Sequence, residues 1–231
     1  MEKWSRLTNL IGEDAIDALT HAHVAVFGVG GVGGYAVEAL ARSGIGELTL
    51  VDADDVAISN INRQIIATDS TIGRAKVDVA AERVHDINPD CKVHTVKEFF
   101  LPESSDAFDF AQYDYVIDAI DTVSAKIELV VQCDKTGTPI IASMGAGNKT
   151  DATAFRVADI YDTSVCPLAK VMRKELKARG IKSLQCVYST EQPHNAQGTD
   201  NIGRIPASCA WVPPAVGLIL AGEVIKAIAK I

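Results

Sequence analysis

Two cations thirteen positions apart and a carboxylate closing a later apolar run are the residues of this chain best suited to act on a phosphate. Arg63 stands in Ser59-Asn60-Ile61-Asn62-Arg63-Gln64, Lys76 in Gly73-Arg74-Ala75-Lys76, and Asp121 in Val116-Ile117-Asp118-Ala119-Ile120-Asp121. A guanidinium offers a planar fork and an ammonium a point charge, and the two together can hold a triphosphate. A carboxylate oxygen is a hard ligand suited to Mg²⁺, which bridges phosphate oxygens. Asn60 and Asn62 add amides able to hold a ribose or a phosphate. The set suits attack at phosphorus with pyrophosphate leaving. Each residue alone has a plainer reading: a solvated charge for Arg63 or Lys76, a helix N-cap for Asp121 beside Thr122. The chemistry requires all three on one crevice.

A phosphate also needs backbone that can come close to it. Gly28-Val29-Gly30-Gly31-Val32-Gly33 fits GxGxxG with an extra glycine inside it, between an expected strand and an expected helix. Such a turn brings free N–H groups and the positive end of a helix to a phosphate. Asp52 closes the next strand, where a carboxylate can accept from a ribose hydroxyl. The plainer reading of the glycines is close packing of helix on strand. This half of the pattern fits an NAD-dependent oxidoreductase equally well. A dinucleotide, however, has no need of Arg63, Lys76 and Asp121.

The elements that must position these residues alternate along the chain. Strands are expected at His23–Gly28, Glu47–Asp52, Lys92–Glu98, Tyr113–Ile120 and Pro139–Met144, and helices at Val32–Ser43, Gly73–Ile87 and Ser124–Lys135. Val77, Ala80, Ala81, Val84 and Ile87 share one helical side. Alternation of this kind predicts an α/β fold, a Rossmann-type doubly wound and mostly parallel sheet. In such a sheet the end of the fourth strand faces the same crevice as Gly30 and Asp52. Further strands are expected at Asp151–Ile160 and Leu184–Thr190, with helices at Pro167–Arg179 and Ala215–Ile228. Glu191–Arg204 is polar and rich in Gly, Asn and Gln, and reads as a mobile loop over the site. The organisation expected is one domain over 1–231: an N-terminal helical segment (1–22), a nucleotide-binding core (23–145), and a substrate-side elaboration with a C-terminal helix (146–231).

The 231 residues are enough for a full core, and the formal charge of −8 argues against coating nucleic acid through bulk charge. The cysteines, Cys91, Cys133, Cys166, Cys186 and Cys209, are odd in number and scattered, and no CxxC pair is present. That excludes a disulfide framework and a four-cysteine zinc site. The start of the sequence lacks a signal-peptide pattern, so a reducing cytoplasm is expected. Ile205–Gly222 carries no charge, but Pro206 and Pro213-Pro214 interrupt it. The part after Pro214 is too short to span a bilayer, which predicts a buried helix without stable membrane insertion.

The order GxGGxG, then D-x-D-x-V-x-x-S-N-x-N-R-Q from Asp52, then Lys76 and the strand-end Asp121, resembles the adenylation signature of the E1-like (ThiF/MoeB/HesA) superfamily. The resemblance implies ATP and Mg²⁺ as cofactors, with Mg²⁺ on Asp121. It implies nucleotide contacts from Gly28, Gly30, Gly31, Gly33, Asp52, Asp54, Asn60, Asn62, Arg63, Gln64, Lys76 and Asp121. Trp4-Ser5-Arg6 resembles the end of the family's R-[FY]-x-R segment, with Lys3 in place of its first Arg. By that resemblance Arg6 reaches the triphosphate of a partner subunit in a homodimer, and Arg6, Arg63, Lys76 and Asp121 carry the catalysis.

Within the superfamily, the missing zinc cysteines point away from the ThiF and MoeB types. Leu7–Leu19, Met144–Lys149, Pro167–Lys170 and Cys186–Glu191 resemble the branch of tRNA threonylcarbamoyladenosine dehydratases. The reaction so implied is adenylation of the threonylcarbamoyl carboxylate on a tRNA, followed by ring closure with loss of AMP. The rival within the superfamily adenylates the C-terminus of a ubiquitin-like sulfur carrier, with a sulfur-transfer protein as a further partner. Cys186 is the candidate for a nucleophile that takes over the acyl group; its alternation with Leu184 and Tyr188 fits a buried packing residue better. Lys170, Arg173, Lys174, Lys177, Arg179 and Lys182 gather in one segment against the single acid Glu175, a candidate surface for tRNA phosphates to which Arg156 could add.

Overall fold

A computed structural model of the chain describes residues 2–194 and 206–231. The apolar runs form one seven-stranded sheet in the order β3-β2-β1-β4-β5-β7-β6. Strands β1 (His23–Phe27), β2 (Glu47–Val51), β3 (Lys92–Val96), β4 (Tyr115–Asp118), β5 (Ile140–Ser143) and β7 (Gln185–Ser189) run parallel. Strand β6 (Phe155–Asp159) closes one edge antiparallel to β7. The chain winds outward from β1 through β2 to β3, then returns to place β4 on the other side of β1. The order therefore reverses between β1 and β4, and a crevice opens outside their C-terminal ends.

Both faces of the sheet are covered, so the strands alternate between two apolar layers. Val24, Val26, Leu48, Leu50, Ile117, Ile141 and Val187 pack in one layer with α2 (Glu13–His21), α3 (Gly33–Arg42), α4 (Lys76–Ile87) and α7 (Val212–Ala229). Ala25, Phe27 and Val116 face α5 (Val123–Thr136) and a cluster of Phe100, Phe108 and Phe110 on the opposite side. On that same side, Ala142, Cys186 and Tyr188 are covered by α6 (Pro167–Ala178). An N-terminal helix α1 (Ser5–Ile11) precedes α2, and Trp4 packs against Gly44. The segments expected as a core (23–145) and an elaboration (146–231) thus contribute strands to one sheet, β7 pairing directly with β5.

Two expectations change. The C-terminal helix begins at Val212, with Pro213 and Pro214 inside its first turn, where a missing N–H breaks no intrahelical bond. The helix is therefore 18 residues with a mean hydropathy of 1.6, long and apolar enough to cross a membrane. The expectation of a short apolar stretch was wrong for that reason. Its face of Val216, Leu220, Ala221 and Val224 is buried within the layer shared with α3, which is how a core helix of a globular domain meets the same length test. The second change concerns the polar loop expected at Glu191–Arg204: residues 195–205 lie outside the described residues. Among those described, Glu191 accepts from the Thr150 and Asp151 amides, and His194 N–H donates to Asn148 O at 2.8 Å.

Candidate active site

The crevice at the reversal point encloses about 630 Å³. Its floor is the glycine-rich turn between β1 and α3. Gly28 adopts φ +89°, and a Cβ there would lie 2.7 Å from Ala119 O. The Gly28 chain therefore passes directly against the turn that follows β4. Gly30 and Gly31 line the open side of the crevice. Gly33 does not: a Cβ on it would stand 1.7 Å from Gly28 O. Its role is close packing of α3 on β1, which corrects its assignment as a nucleotide contact.

Asp52 follows β2 and stabilises the turn. Its Oδ2 accepts from Val29 N at 2.7 Å and its Oδ1 from Asp54 N at 2.9 Å. Lys76, at the start of α4, lies 5% exposed in the same wall. Its Nζ donates to Asp54 Oδ2 at 2.6 Å and stands 3.7 Å from Asp52 Oδ1. The lysine is thereby fixed in position, and Asp54 reaches the site through it. Arg63 comes from the turn after β2; its Nη1 donates to Ser59 O and to Asn62 Oδ1, both at 2.9 Å. Among the described residues no carboxylate lies within 4.0 Å of its guanidinium. It is the cation of the crevice left free for an incoming anion. Asn60 is buried and accepts from Ala57 N at 3.0 Å, which shapes the turn that presents Arg63. Asn62 does not line the crevice: its Nδ2 donates to Ser208 O at 3.2 Å on the outer rim.

Gln64 bears on the fit of a nucleotide. Its side chain is 6% exposed against Gly30, and its Oε1 has no hydrogen-bond partner among the described residues. A buried acceptor without a donor costs stability unless a ligand group supplies one. Asp121 stands three residues past the end of β4, exposed at the crevice edge, where Thr122 Oγ1 donates to its Oδ1 at 3.4 Å. An exposed hard-oxygen donor on the crevice that Arg63 and the glycine turn also line fits Mg²⁺ carried on phosphates.

The structure brings Gly28, Gly30, Gly31, Asp52, Asp54, Asn60, Arg63, Gln64, Lys76 and Asp121 together around one crevice. Arg6 is exposed on α1 and does not line this chain's crevice. The surroundings of Cys186 argue against a nucleophile. It is 0% exposed in the middle of β7, between Ala142 of β5 and Ala158 of β6. Burial pushes its thiol up to about 12, away from the thiolate that nucleophilic attack requires.

Three parts of the site were not anticipated. Phe99 and Leu101, just past β3, form an apolar wall, and Phe99 is 67% exposed. Ser143 to Gly147 and Leu168 of α6 form the far side. Beneath the floor, Lys126 of α5 faces Asp118, with burial pushing the Asp118 carboxyl up against the pull of the Lys126 ammonium. An aromatic pair directly after an edge strand was the available signal for the first; a lysine among apolar positions of a helix was the signal for the last. At the opposite end of β1, β2 and β3, His23, Glu47 and His94 form a separate polar cluster. Glu47 there is already paired with His94 at 2.8 Å and approached by Lys92 at 3.7 Å.

The ThiF family profile matches residues 4–231. The chain is 44% identical to the tRNA threonylcarbamoyladenosine dehydratase of Bacillus subtilis (strain 168), covering 100% of this chain and 96% of that protein. The crystal structure of Escherichia coli TcdA, a tRNA N6-threonylcarbamoyladenosine dehydratase, in complex with AMP superposes with a TM-score of 0.92 at 36% identity, over 99% of this chain and 94% of that one. The ATP complex of the same protein gives 0.91 at 35% identity, with coverage of 99% and 94%. With the adenylation residues gathered at the reversal point and the likeness running the length of the chain, this protein belongs to the ThiF family.

Proposed function

We propose that this chain is an ATP-dependent tRNA threonylcarbamoyladenosine dehydratase that works through an acyl-adenylate. The likeness to dehydratases along the whole chain carries the choice of substrate. The crevice supports the chemistry. The threonylcarbamoyl carboxylate attacks the α-phosphate of ATP, forming a C–O–P bond while the bond to pyrophosphate breaks. A nucleophile of the same modification then attacks the activated carbonyl and AMP leaves, so the net change is loss of one water. Adenylation turns a poor leaving group into a good one, and ring closure gains from proximity within one group.

The chain's residues divide this work. Arg63 meets the charge that develops on the phosphates, and Lys76, held by Asp54, adds a second fixed positive charge. Asp52 orders the glycine turn and offers its remaining acceptor capacity to the ribose. Gln64 Oε1 accepts from a nucleotide donor. Asp121 would hold Mg²⁺, which when bound neutralises and orients phosphate oxygens. Arg6, exposed on α1, completes the site of a second copy in a homodimer; exposed Leu10 on α1 and Leu218 on α7 provide apolar surface for such an interface. No protein nucleophile is required, in keeping with the enclosed Cys186.

Helix α6 leads away from the crevice, where Leu168 lines the wall, and with the segment after it carries the cations for the tRNA backbone. Lys170, Lys174, Lys177 and Lys182 are exposed, and among the described residues none has a carboxylate within 4.0 Å. Arg173 is withdrawn from this set, since its Nη1 bonds Thr163, and Arg179 is paired with Glu175. A cytoplasmic setting follows from a tRNA substrate. The test is AMP release from ATP with three candidate acceptors: tRNA bearing threonylcarbamoyladenosine, the same tRNA unmodified, and a ubiquitin-like sulfur carrier. Release with the modified tRNA alone supports the reading; release with the carrier alone replaces it.

A further inference from the structure

Directly under the crevice floor, two opposite charges are completely enclosed. Lys126 of α5 and Asp118 at the end of β4 are each 0% exposed, with Nζ 2.9 Å from Oδ2. The pair does more than neutralise itself. Lys126 Nζ donates to Ile120 O at 3.1 Å, and Ile120 N donates to Asp118 Oδ1 at 3.2 Å. Both backbone polar groups of the residue preceding Asp121 are thus tied to the pair. Upstream, Ala119 N donates to Phe27 O at 2.8 Å. Among the described residues Asp121 itself has no comparable anchor, only Thr122 Oγ1 at 3.4 Å.

Stability does not account for this arrangement. Taking two charges out of water can cost more than their attraction restores, Asp118 Oδ2 accepts no hydrogen bond among the described residues, and apolar residues of similar volume often do as well or better. What the pair adds is a fixed backbone for residues 118–121. That turn also bears the close contact with Gly28, so it sets the distance between the glycine cradle and Asp121. We propose that Lys126, acting with Asp118, is a positioning residue that holds the Asp118–Asp121 turn so that the Asp121 carboxylate meets the phosphate-bound metal in one orientation. The inference rests on the reading of Asp121 as the metal carboxylate.

The test measures ATP binding to the full chain by calorimetry, with and without Mg²⁺, beside denaturant unfolding. The variants are Asp118→Asn/Lys126→Met, Lys126→Gln and Asp121→Asn. The double variant leaves no unpaired buried charge, so its unfolding midpoint is expected at or above that of the parent chain. ATP binding without Mg²⁺ is expected to stay unchanged in the double variant and in Lys126→Gln. The Mg²⁺ concentration needed for half-maximal enhancement is expected to rise by about 10- to 100-fold, the usual cost of losing a supporting group around a metal ligand. Lys126→Gln leaves the Asp118 carboxyl without its cation, so its unfolding midpoint is expected to fall, while it moves the same Mg²⁺ quantity in the same direction; it serves, under conditions where it stays folded, if the double variant fails to fold. A stable variant with parental Mg²⁺ dependence, while Asp121→Asn shows the loss, overturns the positioning role alone. Parental Mg²⁺ dependence in Asp121→Asn overturns the metal reading of Asp121 and this inference with it.

Discussion

Replacing Cys186 by alanine separates a packing role from a chemical one. The thiol sits at 0% exposure in β7, packed among Ala142, Met172 and Cys166 beneath α6. Burial raises its pKa from 9.0 to about 12, so at pH 7.5 the thiolate share falls from roughly three in a hundred to roughly three in a hundred thousand. A nucleophile handicapped about a thousandfold in its reactive form, and shut off from the crevice, cannot carry an acyl group at a useful rate. Removing one buried sulfur leaves a small, partly collapsed cavity and is expected to cost about 1–2 kcal/mol of stability. Turnover per folded molecule, followed as AMP release with modified tRNA, is expected to stay within about twofold, since no rate-determining group is removed. Iodoacetamide should leave Cys186 unlabelled in the folded chain and label it in urea. A loss of turnover of about a hundredfold or more with an unchanged unfolding midpoint, or a thioester trapped on Cys186, would refute this reasoning.

Other expectations follow from single contacts. Arg63→Ala should lower turnover by about 10²- to 10³-fold, the usual cost of removing one charge-stabilising donor. The midpoint of unfolding should barely move, because among the described residues the guanidinium bonds only Ser59 O and Asn62 at the rim. Gly33→Ala places a methyl 1.7 Å from Gly28 O, a backbone atom that cannot swing aside; destabilisation of about 3 kcal/mol or more and loss of ATP binding are expected by denaturation and calorimetry. Lys170→Gln/Lys174→Gln/Lys177→Gln should reduce the slope of log tRNA affinity against log salt by about two to three, leaving ATP binding unchanged. His23 has its pKa held below 6.5, first by burial, so it stays neutral in the folded chain while the unfolded chain takes up a proton as pH falls. Stability should therefore decline as pH drops from about 7 through 6.5, and His23→Gln should flatten that slope in urea titrations between about pH 5.5 and 7.5.

The parts of the site legible in the sequence are those where local chemistry and element order coincide. GxGGxG between a buried strand and an amphipathic helix places Gly28, Gly30 and Gly31, and a carboxylate ending the next strand places Asp52. Asp121 was legible because strand ends in a doubly wound sheet share one crevice. Pair interactions were not legible. Nothing in Pro167–Arg179 shows that Arg173 turns inward to Thr163 or that Arg179 pairs with Glu175, so the segment reads as more basic than the surface it forms. Alternation in β7 puts Cys186 on one face, but only the fold shows that α6 covers that face. Lys126 stands among apolar positions of its helix, but its burial depends on Asp118 eight residues earlier meeting it across the turn. The glycine pattern likewise cannot distinguish Gly30, open to a ligand, from Gly33, which serves the contact of α3 with β1. The start of α7 was misplaced because prolines read as breakers, although the first turn of a helix tolerates them.

The central claim is that the crevice adenylates a threonylcarbamoyl group on tRNA and closes it into a ring. The most direct measurement incubates the purified chain with ATP, Mg²⁺ and tRNA bearing threonylcarbamoyladenosine, then digests the tRNA and weighs the nucleoside. The account predicts a nucleoside lighter by one water, with one AMP released for each, and no change with Asp121→Ala. An unchanged nucleoside under conditions where the same chain binds ATP would contradict it.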